Sequence, residues 1–221
     1  MIPRELLATA MVPGGEEQLR LFRRGADYMI VLDRNELMNS RMSGSEEALA
    51  AMTIERLGNR DAHVLIGGYG MGFTLRACAA ALSPNGTMTV VELVPEIIAW
   101  ARQYMGGMTG DCLTDPRVEL IIADVADVIR EGRYDAILLD VDNGPDGLTR
   151  NANDRLYSGP GLRATREALL PGGILAVWSA APDRHFSRRL DEAGFSVDEV
   201  VTTARANGKG ARHTIWFAQR P

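Results

Sequence analysis

Residues Val64 to Gly72 read Val-Leu-Ile-Gly-Gly-Tyr-Gly-Met-Gly, an apolar run that breaks into glycines and then opens the stretch Phe73 to Leu82, which carries a helical pattern. This junction limits the possible folds more than any other part of the chain. A residue without Cβ lets the backbone turn sharply and come within contact distance of a ligand, and a helix that starts there offers unpaired N–H groups. Gly67, Gly68, Gly70 and Gly72 are therefore candidate cofactor contacts. Short glycine patterns also serve close helix–strand packing, so the residues downstream must decide between the two roles.

Downstream lies a series of strand tips with acidic ends. The run Met88 to Val91 ends at Glu92, and Pro95 opens the next helical stretch. A carboxylate at the tip of the second strand of a βαβ unit is placed to meet ribose hydroxyls. Val118 to Ile122 is followed by Ala123, Asp124 and Val125, and Ala136 to Leu139 is followed by Asp140. In an open parallel sheet the carboxyl ends of the strands share one edge, so these groups are expected to line a single crevice. For Asp124 there is a competing reading, because an Asp in that position also caps the helix that comes after it.

From Ala62 onward strands and helices alternate. Strands are predicted near residues 62–66, 88–92, 118–122, 135–140, 173–179, 196–201 and 212–218, and helices near Phe73–Leu82, Pro95–Tyr104, Val125–Glu131, Pro160–Leu169 and Asp183–Ala193. The predicted class is α/β: a Rossmann-like, seven-stranded, mostly parallel sheet, with the last two strands joined through Ala206 to Gly210 as an antiparallel hairpin. Residues 1–42 differ. Glu5–Val12, Gln18–Arg23, Tyr28–Leu32 and Glu36–Ser40 are short segments divided by turn signals at Pro13-Gly14-Gly15, Gly25 and Asp33-Arg34-Asn35. They predict a small N-terminal β-hairpin appendage on a cofactor-binding domain spanning residues 43–221. Ser43-Gly44-Ser45-Glu46 has the spacing of a capping box, which would open a helix running to about Leu57.

Composition narrows the function classes. No apolar run approaches the roughly 20 residues that cross a bilayer, and Pro3-Arg4-Glu5 interrupts any leader-like start, so a cytoplasmic protein without membrane contacts is expected. A net charge of −5 argues against long nucleic-acid partners. Cys78 and Cys112 lack zinc or redox spacing, and Cys78, set among alanines, reads as a small core residue. His63, His185 and His213 show no metal-ligand spacing, and His63 reads as structural, so no metal is expected. The loop after Asp140 resembles a calcium loop in its first positions, but Gly144 and Asn151 occupy places that need oxygen ligands. No Gly-x-Ser-x-Gly elbow and no Gly-Lys-Ser/Thr are present. An NAD-dependent dehydrogenase stays compatible with the glycine turn and Glu92.

Taken together, Val64-Leu-Ile-Gly-Gly68 followed by Thr74-Leu75-Arg76, Val91-Glu92 with Pro95-Glu96, Tyr134-Asp135-Ala136-Ile-Leu-Leu-Asp140 and Leu169-Leu-Pro-Gly-Gly-Ile174 resemble the spermidine synthase (polyamine aminopropyltransferase) family, within the class I S-adenosylmethionine-dependent methyltransferase-like proteins. The N-terminal β segment followed by a helix matches that family's order of parts. The resemblance implies S-adenosylmethionine or its decarboxylated form as donor, a small amine as acceptor and a homodimer. It implies that Glu92 holds the ribose hydroxyls, that Asp124 with Val125 meets the adenine, and that Asp140 faces the reacting amine. Tyr69, Asp142, Asn143 and Tyr157 are then expected on the acceptor side.

Three positions depart from the family pattern. The glycine loop carries Tyr69 and Met71 where an Asp is usual, the second Asp after the fourth strand is Asn143, and Gly44-Ser45-Glu46 replaces Tyr-His-Glu. A sulfonium activates its attached carbon, so transfer needs alignment, desolvation and a group to take the acceptor's proton, a task that falls to Asp140. Asp142 and Asp146 add negative charge where a cationic acceptor would enter. Aminopropyl and methyl transfer both fit this chemistry. The alternatives are a methyltransferase with a non-polyamine acceptor and an inactive cofactor-binding module that acts through its hairpin.

Overall fold

In the computed structural model, which describes residues 2–109, 111–141, 144, 155–205 and 207–221, the alternating pattern becomes two sheets around a shared core. The four N-terminal segments form an antiparallel meander of β1 (Glu5–Met11), β2 (Gln18–Arg24), β3 (Asp27–Leu32) and β4 (Asn35–Asn39). Gly25 and Asp33 turn the chain at positive φ, 64° and 49°. Alternation sends Leu19 and Leu21 of β2, and Ile30 and Leu32 of β3, to one buried face. That face packs into the same apolar cluster as Val64 and Ile66 of the main sheet.

The main sheet is built from β5 (His63–Gly67), β6 (Thr87–Glu92), β7 (Val118–Ile122), β8 (Tyr134–Leu139), β9 (Leu169–Ser179), β10 (Ser196–Thr203) and β11 (Arg212–Gln219). Their spatial order is β10-β11-β9-β8-β5-β6-β7, parallel throughout except where β11 runs antiparallel to both β9 and β10. From β5 the chain steps outward through β6 to β7, then returns to β8 on the other side of β5. Open α/β sheets bind ligands at such a reversal, outside the carboxyl ends of the strands.

Helices cover both faces. On one side are α1 (Gly44–Leu57), α2 (Phe73–Ala81) and α3 (Pro95–Trp100), with Leu49, Leu75 and Ile97 in the core shared with the N-terminal sheet. Two further turns come after α3: a widened π-type turn over Ala101–Met105 and the short α4 (Gly106–Thr109). The predicted single helix Pro95–Tyr104 is therefore shorter as an α-helix. The widened turn keeps both Ala101 and Met105 buried behind Trp100. On the opposite face α5 (Val125–Glu131), α6 (Gly159–Ala168) and α7 (Arg184–Glu192) bury Ile129, Leu162 and Phe186 against Leu65, Ile137 and Trp216. No helix among the described residues is long and apolar enough to cross a membrane. His63 is tied into the fold, its Nε2 3.0 Å from Thr89 Oγ1 and its ring against Tyr134. Cys78 is fully buried.

Candidate active site

The glycine turn, the tip of β6 and the tip of β8 are laced together by their backbones. Gly68 N–H donates to the Val91 carbonyl at 2.9 Å, and Asp140 N–H donates to the Gly67 carbonyl at 2.9 Å. At Gly68 φ is +86°, and a Cβ there would collide with the Asp140 carbonyl, so both conformation and space demand glycine. Gly70 and Gly72 also have positive φ, 55° and 79°, and Gly72 leads directly into α2. Gly67 packs its bare Cα against Val125 and Leu139.

Glu92, at the end of β6, is buried, and each of its oxygens accepts one backbone amide: Oε2 from Tyr69 N–H at 3.0 Å and Oε1 from Val94 N–H at 2.9 Å. Burial pushes its carboxyl upward, against the pull of these amides. The backbone amides of Gly70 and Leu93 also pull on this carboxyl, and the residue lines the cleft. Asp124 caps α5, its Oδ1 accepting Ala126 N–H at 2.9 Å, while Oδ2 lies 4.0 Å from Arg155. Asp124 and Val125 also line the cleft. The capping reading and the position at the crevice thus hold together for Asp124.

The polar group at the other end of the cleft is larger than the sequence alone indicates. Asp140 and Glu46 both line it. Thr74 Oγ1, in the first turn of α2, donates to Asp140 Oδ2 at 2.6 Å. Glu46 does not close a capping box: Ser43 makes no side-chain bond to the start of α1, and the Glu46 carboxyl turns inward, where Ser45 Oγ lies 2.6 Å from Oε2. The helix start is reinforced instead by the Gly44 N–H bond to the Ala204 carbonyl. Ser45 Oγ is also 2.8 Å from Nδ1 of His213 on β11. Burial pushes the Glu46 carboxyl up to about 7, with the Asp140 charge as the next cause. Burial pushes Asp140 up to about 6, against the Thr74 hydrogen bond. Two carboxyls raised together in one cleft titrate as a pair and not independently.

The facing wall comes from the N-terminal sheet. Val12, Leu19, Ile30, Leu32, Leu37 and Met38 give it an apolar surface, with Glu17 at its side. Met38 reaches the glycine turn itself, where a Cβ on Gly70 would lie 2.7 Å from its Cε. Trp178 of β9 closes the end near Asp140.

Two expected acceptor contacts lie elsewhere. The Tyr69 side chain is buried away from the cleft, with its hydroxyl toward Thr109 and Cys112, and burial pushes that hydroxyl up to about 12. Its bulk needs an apolar pocket, so it anchors the glycine turn from behind while its N–H serves Glu92. Tyr157 packs edge-on to Phe186 at 5.5 Å in the core cluster of α5, α6 and α7, not in the cleft. Asp142, Asn143 and Asp146 fall outside the described residues. Glu46 is the site residue that sequence reasoning missed. Its signal was the alignment of Gly44-Ser45-Glu46 with the family's Tyr-His-Glu, outweighed by a local capping pattern.

Residues 42–188 match the family model for the spermine/spermidine synthase domain. The chain belongs to the spermine/spermidine synthase family. Among curated proteins, it is 31% identical over 135 residues to the polyamine aminopropyltransferase of Korarchaeum cryptofilum, covering 60% of this chain and 40% of that one. It is 28% identical over 124 residues to the enzyme of the same name from Prochlorococcus marinus strain NATL1A, covering 55% and 41%. The aligned region thus spans about two fifths of these relatives' length. Among solved structures, spermidine synthase from Thermotoga maritima superposes with a TM-score of 0.78 at 19% identity, covering 98% of this chain and 73% of that one. A spermidine synthase in complex with the transition-state analogue AdoDATO superposes with a TM-score of 0.76 at 20% identity, with the same coverage. These two superpositions establish the family fold over both sheets.

Proposed function

We propose that this chain transfers an aminopropyl group from decarboxylated S-adenosylmethionine to a small cationic amine. The observation that carries this reading is the paired carboxyls of Glu46 and Asp140, set in the same cleft as the amide-anchored Glu92. Family membership and the names of the relatives support it. Glu92 takes the ribose hydroxyls, the glycine turn lies along the adenosyl group, and Asp124 Oδ2 with Val125 meets the adenine. When bound, the sulfonium supplies an electrophilic carbon. The N-terminal wall excludes water, and its end as a separate unit near residue 42 is supported by the position where the matched domain begins.

The acceptor enters as an ammonium and must lose a proton before its nitrogen can attack. Asp140 holds it by charge, with Thr74 fixing the carboxylate, and takes the proton. A carboxyl raised to about 6 is still mostly ionised at neutral pH yet basic enough to serve as acceptor. Methyl transfer is the second reading, and one observation favours it: the glycine loop from Gly67 to Gly72 carries no Asp, and the Tyr69 side chain points away from the cleft. With no loop anion to hold the donor's ammonium, we expect a preference for the decarboxylated donor over S-adenosylmethionine of less than about a hundredfold, roughly 2.7 kcal/mol. Calorimetry with both donors and methylthioadenosine, paired with mass spectrometry of products from mixed amines, tests the reading. Methylated product without aminopropylated product would replace it by the second.

A further inference from the structure

We propose that Ser45 and His213 form a proton-exit relay that carries the acceptor's proton from the Glu46–Asp140 pair to water. The inference rests on the transferase reading above. Its geometric basis is a continuous line of polar atoms. Ser45 Oγ stands 2.6 Å from Glu46 Oε2 and 2.8 Å from His213 Nδ1, linking α1 to β11 across 168 positions of sequence. Ser45 is fully buried and Glu46 nearly so, whereas His213 is only part-buried and reaches the surface. Trp178 packs edge-on to the imidazole at 4.8 Å and 73°, which fixes the ring plane.

The need for an exit comes from the reaction's balance. An ammonium acceptor gives one proton to the carboxyl pair. Its nitrogen lone pair then forms the new C–N bond, the C–S bond breaks with its electrons kept on sulfur, and the products are a secondary ammonium and a neutral thioether. One proton per turnover is left in a buried site. Glu46 has the higher affinity for it, because burial and the Asp140 charge both raise its carboxyl, with a smaller contribution from Glu47. Glu47 is itself paired with Arg76 on α2.

The hydroxyl between the two titratable groups can point either way, which is what a relay needs. With Glu46 ionised, Ser45 donates to it and His213 Nδ1–H donates to Ser45. With Glu46 protonated, its O–H donates to Ser45 and Ser45 donates to a bare Nδ1. A shift along this line leaves Glu46 ionised and His213 protonated. Burial holds the His213 imidazolium below the usual histidine range, so the ring gives the proton to water on its exposed side. Exchange of the ring tautomer with solvent then resets the line.

Two arms test the relay. Nitrogen-15 NMR of the free protein, with three histidines in all, follows the His213 tautomer. As pH rises through about 7, where Glu46 ionises, the neutral ring is expected to move from Nε2–H toward Nδ1–H, and this dependence is expected to disappear in Ser45→Ala. A wild-type ring that ignores this pH range, or a Ser45→Ala ring that still responds, overturns the relay without any assay of activity. In the second arm, His213→Gln is expected to lower kcat about tenfold, less than loss of a direct base, with donor KM within about twofold and partial rescue by added imidazole. Full turnover with an unchanged pH profile in His213→Gln overturns it. If the wild type yields no aminopropylated or methylated product, the transferase reading fails, and the NMR arm still decides the hydrogen-bond switch.

Discussion

The two ends of the cleft treat a buried carboxylate in opposite ways. Glu92 is held by backbone amides on both oxygens, so its charge is solvated by the fold and its position does not depend on other side chains. Glu46 and Asp140 take their side-chain hydrogen bonds from the hydroxyls of Ser45 and Thr74, and Glu46 feels the Asp140 charge. In the proposed reading the first arrangement makes a fixed docking group and the second a proton acceptor. Burial raises all three carboxyls; at Glu92 backbone amides pull toward the charged form, whereas at Glu46 the Asp140 charge adds to the rise. The same residue type thus gives binding at one end and proton chemistry at the other.

The sharpest way to break this contrast is Asp140→Asn. It is expected to lower turnover by about 10²–10⁴-fold while donor affinity moves by less than about fivefold. Calorimetry and product formation measured on one preparation check both halves. Loss of donor binding would move Asp140 to the adenosyl end.

Glu92→Gln is expected to show the reverse pattern, with donor affinity down at least about tenfold, since charge-assisted bonds are worth roughly 1.5–3 kcal/mol. The amide also presents N–H to Tyr69 N–H or Val94 N–H, so the variant is expected to melt at lower temperature. Glu92→Ala would leave both N–H groups buried without this acceptor, which makes it the poorer probe. Unchanged affinity in a folded Glu92→Gln protein would remove this residue from the site.

The smallest expected effect is on stability. Glu46 rises from an ordinary 4.5 to about 7 on folding, so its contribution is fully favourable below about 4.5 and is lost as pH climbs through about 7. Glu46→Gln is therefore expected to melt higher than the parent at pH 8, and to lose that advantage at pH 5. At about 1.4 kcal/mol for each tenfold change in proton affinity and roughly 2–4 °C per kcal/mol, the full shift sets an upper bound of about 10 °C on the gain. An equal difference at both pH values would mean that folding leaves the Glu46 carboxyl at its ordinary value.

The end of the cleft around Glu92 and Asp124 was legible in the sequence as a place because each of its residues sits at a strand tip. The apolar runs before Gly67, Glu92, Asp124 and Asp140 fix their strands, and parallel topology then brings the tips together without further information. The proton-accepting end was only half legible. Asp140 is a strand tip, but Glu46 reaches it from the first turn of a helix, where Ser-x-x-Glu already has a local explanation, and only burial against β8 and β11 overrides it. Tyr69 and Tyr157 were misplaced for the same reason in reverse. Sequence position put them near the site, while their bulk sent both side chains into the core. The apolar wall needed two sheets to meet, and a period-two pattern names the face without naming what it covers.

The placement of β11 between β9 and β10 has a consequence for how the molecule comes into being on the ribosome. β11 comes after β10 in the chain, yet it is not an edge strand but an interior one, with β9 on one side and β10 on the other. A nascent chain that lacks it carries Gly67, Glu92 and Asp140 but leaves Ser45 without the imidazole that lies 168 residues away. Pairings this distant in sequence form late and slowly, because chain closure has to precede the contacts that reward it. Insertion of β11 therefore completes the sheet and connects the carboxyl pair to the surface in a single event, so the chain acquires its polar line only when its interior strand locks in.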